Sequence, residues 1–182
     1  MGDDVTYENL NVGAGEGSEA DRAFHLERYH AAARFARGKV LDAGCGYGYG
    51  SQILSATAKK VVGVDRDGEA LNYAEGYYRT PDVTFELATF PGWRWRQFSC
   101  TVCIEAIEHI EFYREFVGKI LYYTWDRVFL TVPIKPTTNE FHVHAFTEDE
   151  IRRWFKGSEW QLIFYELQAQ QRYLMVCYQK RR

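Results

Sequence analysis

The sequence predicts one α/β domain built on a mostly parallel sheet with helices on both faces. Segments with strand character alternate with segments of helical periodicity along the 182 residues, and the early strand segments are uniformly apolar. Strands that are buried on both faces of a parallel sheet have this composition. Ligands of such sheets bind beyond the carboxyl ends of the strands, so functional residues are expected directly after strands.

Each strand is predicted from a short apolar run between turn residues. The seven runs are 39–44, 61–65, 83–87, 100–104, 128–132, 161–167 and 173–179. Pro133 and Pro136 stop the fifth run, since proline cannot donate to a sheet ladder. Neither an internal repeat nor a linker divides the chain.

Helices are predicted between these strands from capping residues and apolar periodicity. They begin after Ser18, near residue 51, after Asp67, at Tyr113 and after Thr147. The side-chain oxygens of Ser18, Asp67 and Thr147 can accept the free N–H groups of a first helical turn. The first helix is expected to end near Gly38, and the second to be short.

Composition gives no general reason to expect nucleic-acid or membrane binding. The net charge is −3 and the pI is near 6.0, no apolar stretch is long enough to span a bilayer, and the acidic N-terminus lacks a secretory signal. A cytoplasmic protein is therefore expected. Cys100 and Cys103 have odd spacing in a buried strand, which places them on opposite faces as thiols rather than as metal ligands.

A glycine-rich turn follows the first strand and is the central motif. Residues Val40 to Gly48 read Val-Leu-Asp-Ala-Gly-Cys-Gly-Tyr-Gly. Glycines allow a tight turn and close approach of the backbone to a ligand. Asp42 could hold a ligand's ammonium, and Asp65, at the end of the next strand, suits the hydroxyls of a ribose. A nicotinamide site is less favoured, because the G-x-G-x-x-G frame fails at Tyr49.

The motif resembles that of the class I S-adenosylmethionine-dependent methyltransferases. The resemblance extends to Val62–Asp65, to Phe98–Ile110 with its Glu-Ala-Ile-Glu-His-Ile ending, and to Phe141–Thr147, so it covers the chain from Lys39 onward. It implies a single Rossmann-like domain with a seven-stranded sheet, six strands parallel and the last antiparallel. Residues 1–17 are polar and glycine-rich, so they are predicted to be mobile or folded over a ligand. Together with a lid helix they form an N-terminal segment, 1–38, ahead of a catalytic domain, 39–182.

The resemblance also implies a set of cofactor-binding residues for S-adenosylmethionine. Asp42 and the turn would hold the methionine portion, Asp65 and Arg66 the ribose side, Thr89 and Phe90 the adenine, and Glu105 would lie beside the methyl group. The turn residues concerned are Gly44, Cys45, Gly46 and Gly48. Thr89 stands where many relatives have an aspartate, but its hydroxyl can still accept a hydrogen bond.

Methyl transfer is an in-line displacement that needs alignment and often a base. Candidate catalytic residues are Glu108, His109 and His144, with His142 as a further candidate base. Glu105, Glu108 and His109 share one face of a helical turn. With His144 they could bind a divalent metal, and this pattern resembles metal-dependent RNA 3′-end 2′-O-methyltransferases. The same pattern occurs in relatives without metal, so the metal-free interpretation is favoured.

Two further segments leave alternatives open. Trp93 to Arg96 alternates aromatic and cationic side chains, which favours a loop that edges the cofactor site with its arginines in solvent over a base-stacking surface. His25 to Tyr29 resembles an element of methyltransferases linked to surface-sugar synthesis. There, Arg28 or Tyr29 either contacts the cofactor or packs the first helix onto the sheet.

The function expected from these features is methyl transfer to an oxygen, or less favourably a nitrogen, of a small polar acceptor such as a sugar or metabolite. The alternatives are a metal-assisted RNA 2′-O-methyltransferase and a non-catalytic cofactor-binding subunit. The short chain leaves little room for an acceptor domain, so the acceptor pocket is shallow or is completed by another subunit in an oligomer.

Overall fold

The computed structural model describes residues 11, 15, 18–90, 92–135, 141–157, 159–169 and 172–181. The segment predicted to be mobile, 1–17, therefore lies outside the described residues except for two positions. No helix in these ranges is long and apolar enough to cross a membrane.

One seven-stranded sheet organises this part of the chain. Its strands are β1 (Lys39–Ala43), β2 (Lys60–Asp65), β3 (Val83–Leu87), β4 (Phe98–Ile104), β5 (Thr124–Pro133), β6 (Trp160–Gln168) and β7 (Tyr173–Lys180). Their order is β3-β2-β1-β4-β5-β7-β6. β7 runs antiparallel to β5 and β6, whereas the pairs among β1 to β5 are parallel. The predicted fold class is confirmed, and the switch point lies between β1 and β4.

The helices follow the predicted capping residues. They are α1 (Glu19–Ala33), α2 (Tyr49–Ser55), α3 (Gly68–Tyr77), α4 (Tyr113–Tyr123) and α5 (Glu148–Trp154), with a 3₁₀ turn at Ile107–His109. Ser18 forms a capping box with Asp21, and Asp67 and Thr147 accept from first-turn N–H groups. α1 ends at Ala33, before the predicted end near Gly38.

β5 begins directly after α4, earlier than the sequence predicted. Thr124 shares a buried hydrogen bond of 2.6 Å between its Oγ1 and that of Thr101, and it pairs with Phe98 in the sheet. The polar residues Asp126 and Arg127 concealed this extension, because they interrupt the apolar run that marks the rest of the strand.

Two apolar layers cover the sheet. Residues of α1, α2 and α3 pack on one face around Tyr29, Leu54 and Leu71, and residues of α4 and α5 pack on the other around Phe116 and Ile151. Cys100 belongs to the first layer and Cys103 to the second, and all four cysteines are buried free thiols. Their predicted placement on opposite faces is confirmed.

The Trp93 to Arg96 segment does not edge the cofactor site as predicted. Trp93 is buried in the second layer, and its Nε1 donates to Glu86 Oε2 at 3.0 Å. Trp95 packs edge-on against Trp93, with 5.0 Å between ring centroids. Arg96 forms an ion pair with Glu86, whereas Arg94 is exposed as expected. The indole of Trp93 is buried in the core and that of Trp95 packs half-buried against it, which gives both rings more apolar contact than a position at the rim would.

Candidate active site

The turn between β1 and α2 is packed so closely at Gly44 and Gly48 that neither position has room for a side chain. Gly44 and Gly48 have φ values of +78° and +83°, which L-residues rarely adopt. A Cβ on Gly44 would lie 2.5 Å from Cβ of Ala106, and one on Gly48 would lie 2.6 Å from Cβ of Ala74. The N–H of Gly44 donates to the Val64 carbonyl at 2.8 Å. The turn is therefore held between β2 and the segment that follows β4.

Asp65 joins this turn to the end of β2. One carboxylate oxygen accepts from the Gly46 N–H at 2.7 Å and the other accepts from the Asp67 N–H at 3.0 Å. Burial raises the pKa of Asp65, and hydrogen bonds from the backbone N–H groups of Asp67, Gly46 and Arg66 partly counteract the rise. Each carboxylate oxygen has a second lone pair, so Asp65 can still accept from the hydroxyls of a ligand.

A cavity of about 390 Å³ opens beside this turn, at the carboxyl ends of β1, β2, β3 and β4. That size is typical of a small-molecule site. It contains several of the cofactor residues named from the sequence. These are Gly44, Asp65, Arg66, Thr89, Phe90 and Glu105. His109 also lines it. Sequence reasoning missed the remaining lining residues, although most directly follow β4. They are Ala88, Ala106, Ile110, Glu111, Phe112 and Val143.

Asp42 is not among the residues that line the cavity, and its contact with a ligand's ammonium stays a prediction. Its carboxylate is fully buried and accepts from Ser51 Oγ at 2.7 Å and from the Tyr29 hydroxyl at 3.3 Å. Burial raises its pKa to about 7, against the opposing effect of these two hydrogen bonds. Asp42 thus ties β1 to α1 and α2. Cys45, Gly46 and Gly48, which belong to the turn itself, are also not among the lining residues.

Glu105 lies at the end of β4 with a left-handed φ of +50°. Its Oε1 accepts from Thr131 Oγ1 at 2.8 Å, and its Oε2 lies 3.6 Å from Nη1 of Arg28. Burial raises the pKa of Glu105, while the guanidinium of Arg28 opposes the rise. A non-glycine residue in this conformation is held by its surroundings, here by Thr131 and Arg28.

Arg28 connects α1 to the far side of the sheet. It is only 2% exposed, its Nε donates to Gln168 Oε1 at 2.7 Å, and its guanidinium lies 4.2 Å above the ring of Tyr173. Neither Arg28 nor Tyr29 is a lining residue of the cavity. Of the two alternatives, the structure therefore favours packing of α1 onto the sheet.

The turn after β4 places Glu108 and His109 beside a second segment, residues 141–144. The Glu108 carbonyl accepts from the N–H groups of Val143 and His144 at 3.0 and 3.2 Å. His109 Nδ1 lies 2.9 Å from the Phe141 carbonyl, and since a carbonyl only accepts, Nδ1 must donate. The Glu108 side chain is fully buried, and within the described part of the chain neither of its carboxylate oxygens has a hydrogen-bond partner.

The four metal-ligating residues inferred from the motif are not brought together. The group that the described residues do form consists of Glu108, His109 and His142, whose ligand atoms all lie within 4.8 Å of one another. His144 lies apart from it, with Nε2 donating to the Glu111 carbonyl at 3.1 Å and its ring against Tyr113. Glu105 is engaged by Thr131 and Arg28. His142 thus replaces His144, and Glu105 is not a member.

Comparison with known proteins agrees with this geometry. Residues 40–121 match the family described as methyltransferase domain. A probable S-adenosylmethionine-dependent methyltransferase of Mycobacterium tuberculosis is 28% identical over 123 residues. That alignment covers 62% of this chain but 44% of the relative, so the chain spans less than half of the relative's length.

Solved structures share the fold at low sequence identity. Magnesium protoporphyrin IX methyltransferase from Synechocystis, with bound S-adenosylmethionine, superposes with a TM-score of 0.75 at 16% identity and covers 94% of this chain and 88% of its own. The N-methyltransferase NodS from Bradyrhizobium japonicum gives 0.72 at 14%, with 89% and 97% covered. The resemblance to class I S-adenosylmethionine-dependent methyltransferases is confirmed.

Proposed function

We propose that the chain binds S-adenosylmethionine in the cavity beside Gly44 and transfers its methyl group to an oxygen of a small polar acceptor. The observation that carries this proposal is the glycine-rich turn whose Gly46 N–H donates to Asp65 at 2.7 Å. A backbone surface next to a carboxylate with spare lone pairs suits a nucleoside. The names of the relatives, which include S-adenosylmethionine-dependent methyltransferases, support the same cofactor.

The lining residues fit the parts of this cofactor. Asp65 accepts the ribose hydroxyls and Arg66 lies beside it, while Thr89 and Phe90 face the adenine from the end of β3. Glu105 supplies a carboxylate where the sulfonium would lie. Its negative charge favours binding of the cationic sulfonium over binding of the neutral thioether of the product. The cofactor supplies an electrophilic methyl group, and the chain's own residues hold and orient it.

His109 is the residue that we place against the acceptor. Its Nδ1 donates to the Phe141 carbonyl, so Nε2 carries the lone pair and can accept a proton. Burial lowers the pKa of His109, which keeps the ring neutral near pH 7. An alcohol needs such a base more than a neutral amine does, because the amine is already nucleophilic. This difference supports an oxygen acceptor over a nitrogen.

Calorimetric titration with S-adenosylhomocysteine tests the cofactor assignment. Asp65→Ala removes the carboxylate that would bind two hydroxyls, so affinity should fall at least about tenfold. Asp82→Ala, at an exposed aspartate ahead of β3, is the matched control and should bind as the wild type does. Wild-type binding of NADH in place of S-adenosylhomocysteine would refute the assignment.

Turnover measurements test the role of His109. With a panel of sugars, hydroxylated metabolites and amines, release of S-adenosylhomocysteine should fall about a hundredfold or more in His109→Gln, with cofactor affinity unchanged. His30→Gln, at an exposed histidine on α1, serves as the control. Equal turnover in both variants would contradict the role, and cofactor binding without turnover on any acceptor would favour the non-catalytic alternative.

A further inference from the structure

We propose that Glu108, His109 and His142 form a binding site for one divalent transition-metal ion at the edge of the cavity. Their ligand atoms all lie within 4.8 Å of one another. A single point therefore exists no more than about 2.8 Å from all three atoms (4.8 Å divided by the square root of three). Bond lengths to such ions are roughly 2.0–2.2 Å, so small side-chain rotations would complete the coordination.

The unpartnered carboxylate of Glu108 is the second observation that points to a ligand. The side chain is fully buried, and both carboxylate oxygens lack a hydrogen-bond partner among the residues that the structure describes. Burying such a group without a partner costs several kcal/mol. Neighbouring Glu105, another carboxylate, makes the cost greater, and the nearby guanidinium of Arg28 is already engaged by Glu105 and Gln168. A bound cation would satisfy both oxygens of Glu108 or balance their charge.

The imidazole of His109 is positioned as that of a metal ligand usually is, and His142 lies beside it. A ligating histidine typically donates its other ring N–H to a carbonyl or carboxylate, which fixes the ring and its tautomer. His109 does this through Nδ1 and the Phe141 carbonyl. The ring of His142 lies 4.8 Å from that of His109 at 78°. Its segment is anchored on both sides, by the Phe141 carbonyl and by the Val143 N–H on the Glu108 carbonyl.

The donor set selects the class of ion. Two imidazole nitrogens and one carboxylate suit Zn²⁺, Fe²⁺, Co²⁺ or Mn²⁺, whereas Mg²⁺ and Ca²⁺ prefer oxygen ligands. Three protein ligands also leave open positions for a water or a substrate. The site would therefore resemble a catalytic more than a structural metal site.

The ion's role in catalysis rests on the proposed function, whereas its binding does not. His109 lines the cavity, so an ion held by it would meet the acceptor. A hydroxyl that binds such an ion loses its proton more readily, and the proton then leaves to solvent. The acceptor oxygen forms a bond to the methyl carbon, the carbon–sulfur bond breaks, and sulfur keeps the electron pair. In this state His109 holds the ion instead of accepting the proton itself.

Metal titration of the chelator-treated full chain tests the site. Zn²⁺ is followed by calorimetry and Co²⁺ by visible absorbance. We expect one ion per chain, with affinity reduced at least about tenfold in Glu108→Gln and in His142→Gln. His144→Gln is the matched control, since this imidazole lies two residues from His142 but outside the group, and it should bind as the wild type does. Circular dichroism and S-adenosylhomocysteine affinity report whether each variant is folded.

The outcomes separate this inference from the proposed function. If the wild type binds S-adenosylhomocysteine but neither ion stoichiometrically, the metal site is refuted and the cofactor assignment stands. The site is also refuted if His144→Gln loses as much affinity as His142→Gln. If the ion binds but its removal leaves turnover unchanged, the catalytic role is refuted. Absence of S-adenosylhomocysteine binding would instead refute the proposed function, whatever the metal titration shows.

Discussion

The two walls of the cavity differ in how far their polar groups are satisfied. On the wall formed by the Gly44 turn and Asp65, main-chain N–H groups already occupy both carboxylate oxygens. On the wall formed by the turn after β4, Glu105 has a left-handed φ. Glu108, buried behind that wall, has no hydrogen-bond partner among the described residues. The first wall is preformed by the backbone. The second contains a strained backbone residue and an unsatisfied carboxylate. Both features are characteristic of catalytic sites.

The largest effect is expected from adding one methyl group to the preformed wall. Gly44→Ala places Cβ 2.5 Å from Cβ of Ala106 at a φ of +78°. Overpacking and left-handed strain together should lower the free energy of unfolding by about 2–4 kcal/mol and weaken S-adenosylhomocysteine binding. Gly76→Ala, on α3 with open space around it, should not destabilise the protein. Urea unfolding and calorimetry check both variants, and equal effects would show that the turn is not tightly packed.

The buried carboxyl group of Asp42, behind that wall, should make the free energy of unfolding depend on pH by a few kcal/mol. Burial raises the pKa of Asp42 in the folded protein to about 7, against 3.8 for an aspartate in water, so between these pH values the folded state keeps a proton that the unfolded state has lost. The free energy of unfolding therefore falls as pH rises from 4 to 7, by at most about 4 kcal/mol.

Asp42→Asn should abolish this component. Urea unfolding from pH 4 to 8 should show the wild type losing stability relative to Asp42→Asn as pH rises, with the difference constant above pH 7. Other buried acids contribute equally to both proteins and cancel. A difference that does not change with pH would mean that Asp42 is as acidic in the folded protein as in the unfolded chain.

The smallest effect is expected at Glu108, in the turn after β4. There a substitution should raise the free energy of unfolding instead of lowering it. Glu108→Met replaces a buried, unpartnered carboxylate with an apolar side chain of similar length. In the presence of chelator it should raise the free energy of unfolding by about 1–3 kcal/mol. Glu86→Met, which removes the partner of Trp93 and Arg96, should instead lower it slightly. Destabilisation by Glu108→Met would mean that this carboxylate is satisfied in solution.

Local patterns were sufficient for most of the fold. The run at 83–87 and the caps at Ser18, Asp67 and Thr147 were predicted at the positions where they occur, because burial of both faces and free N–H groups have local signatures. The start of β5 was missed, since a buried threonine pair between two strands has no signature in one segment.

The cavity residues after strands were largely predictable, but the direction of side chains was not. Asp42 shares the strand face of Val40, which packs with α1 and α2, and only the three-dimensional position of those helices shows that this face lies away from the cavity. His142 and His144 have the same parity in an extended segment. The bend imposed when the Glu108 carbonyl accepts from two successive N–H groups distinguishes them, and the sequence does not encode that bend locally.

The contact between Arg28 and Gln168 joins residues 140 positions apart. During translation, α1 leaves the ribosome long before β6 exists, so its arginine lacks this partner for most of synthesis. The helix can already pack on α2 and β1 through Tyr29, but Arg28 is held by Gln168 and Tyr173 only when the last two strands are in place. The order of translation thus makes the fixing of the guanidinium that faces Glu105 a late step in the assembly of this side of the site.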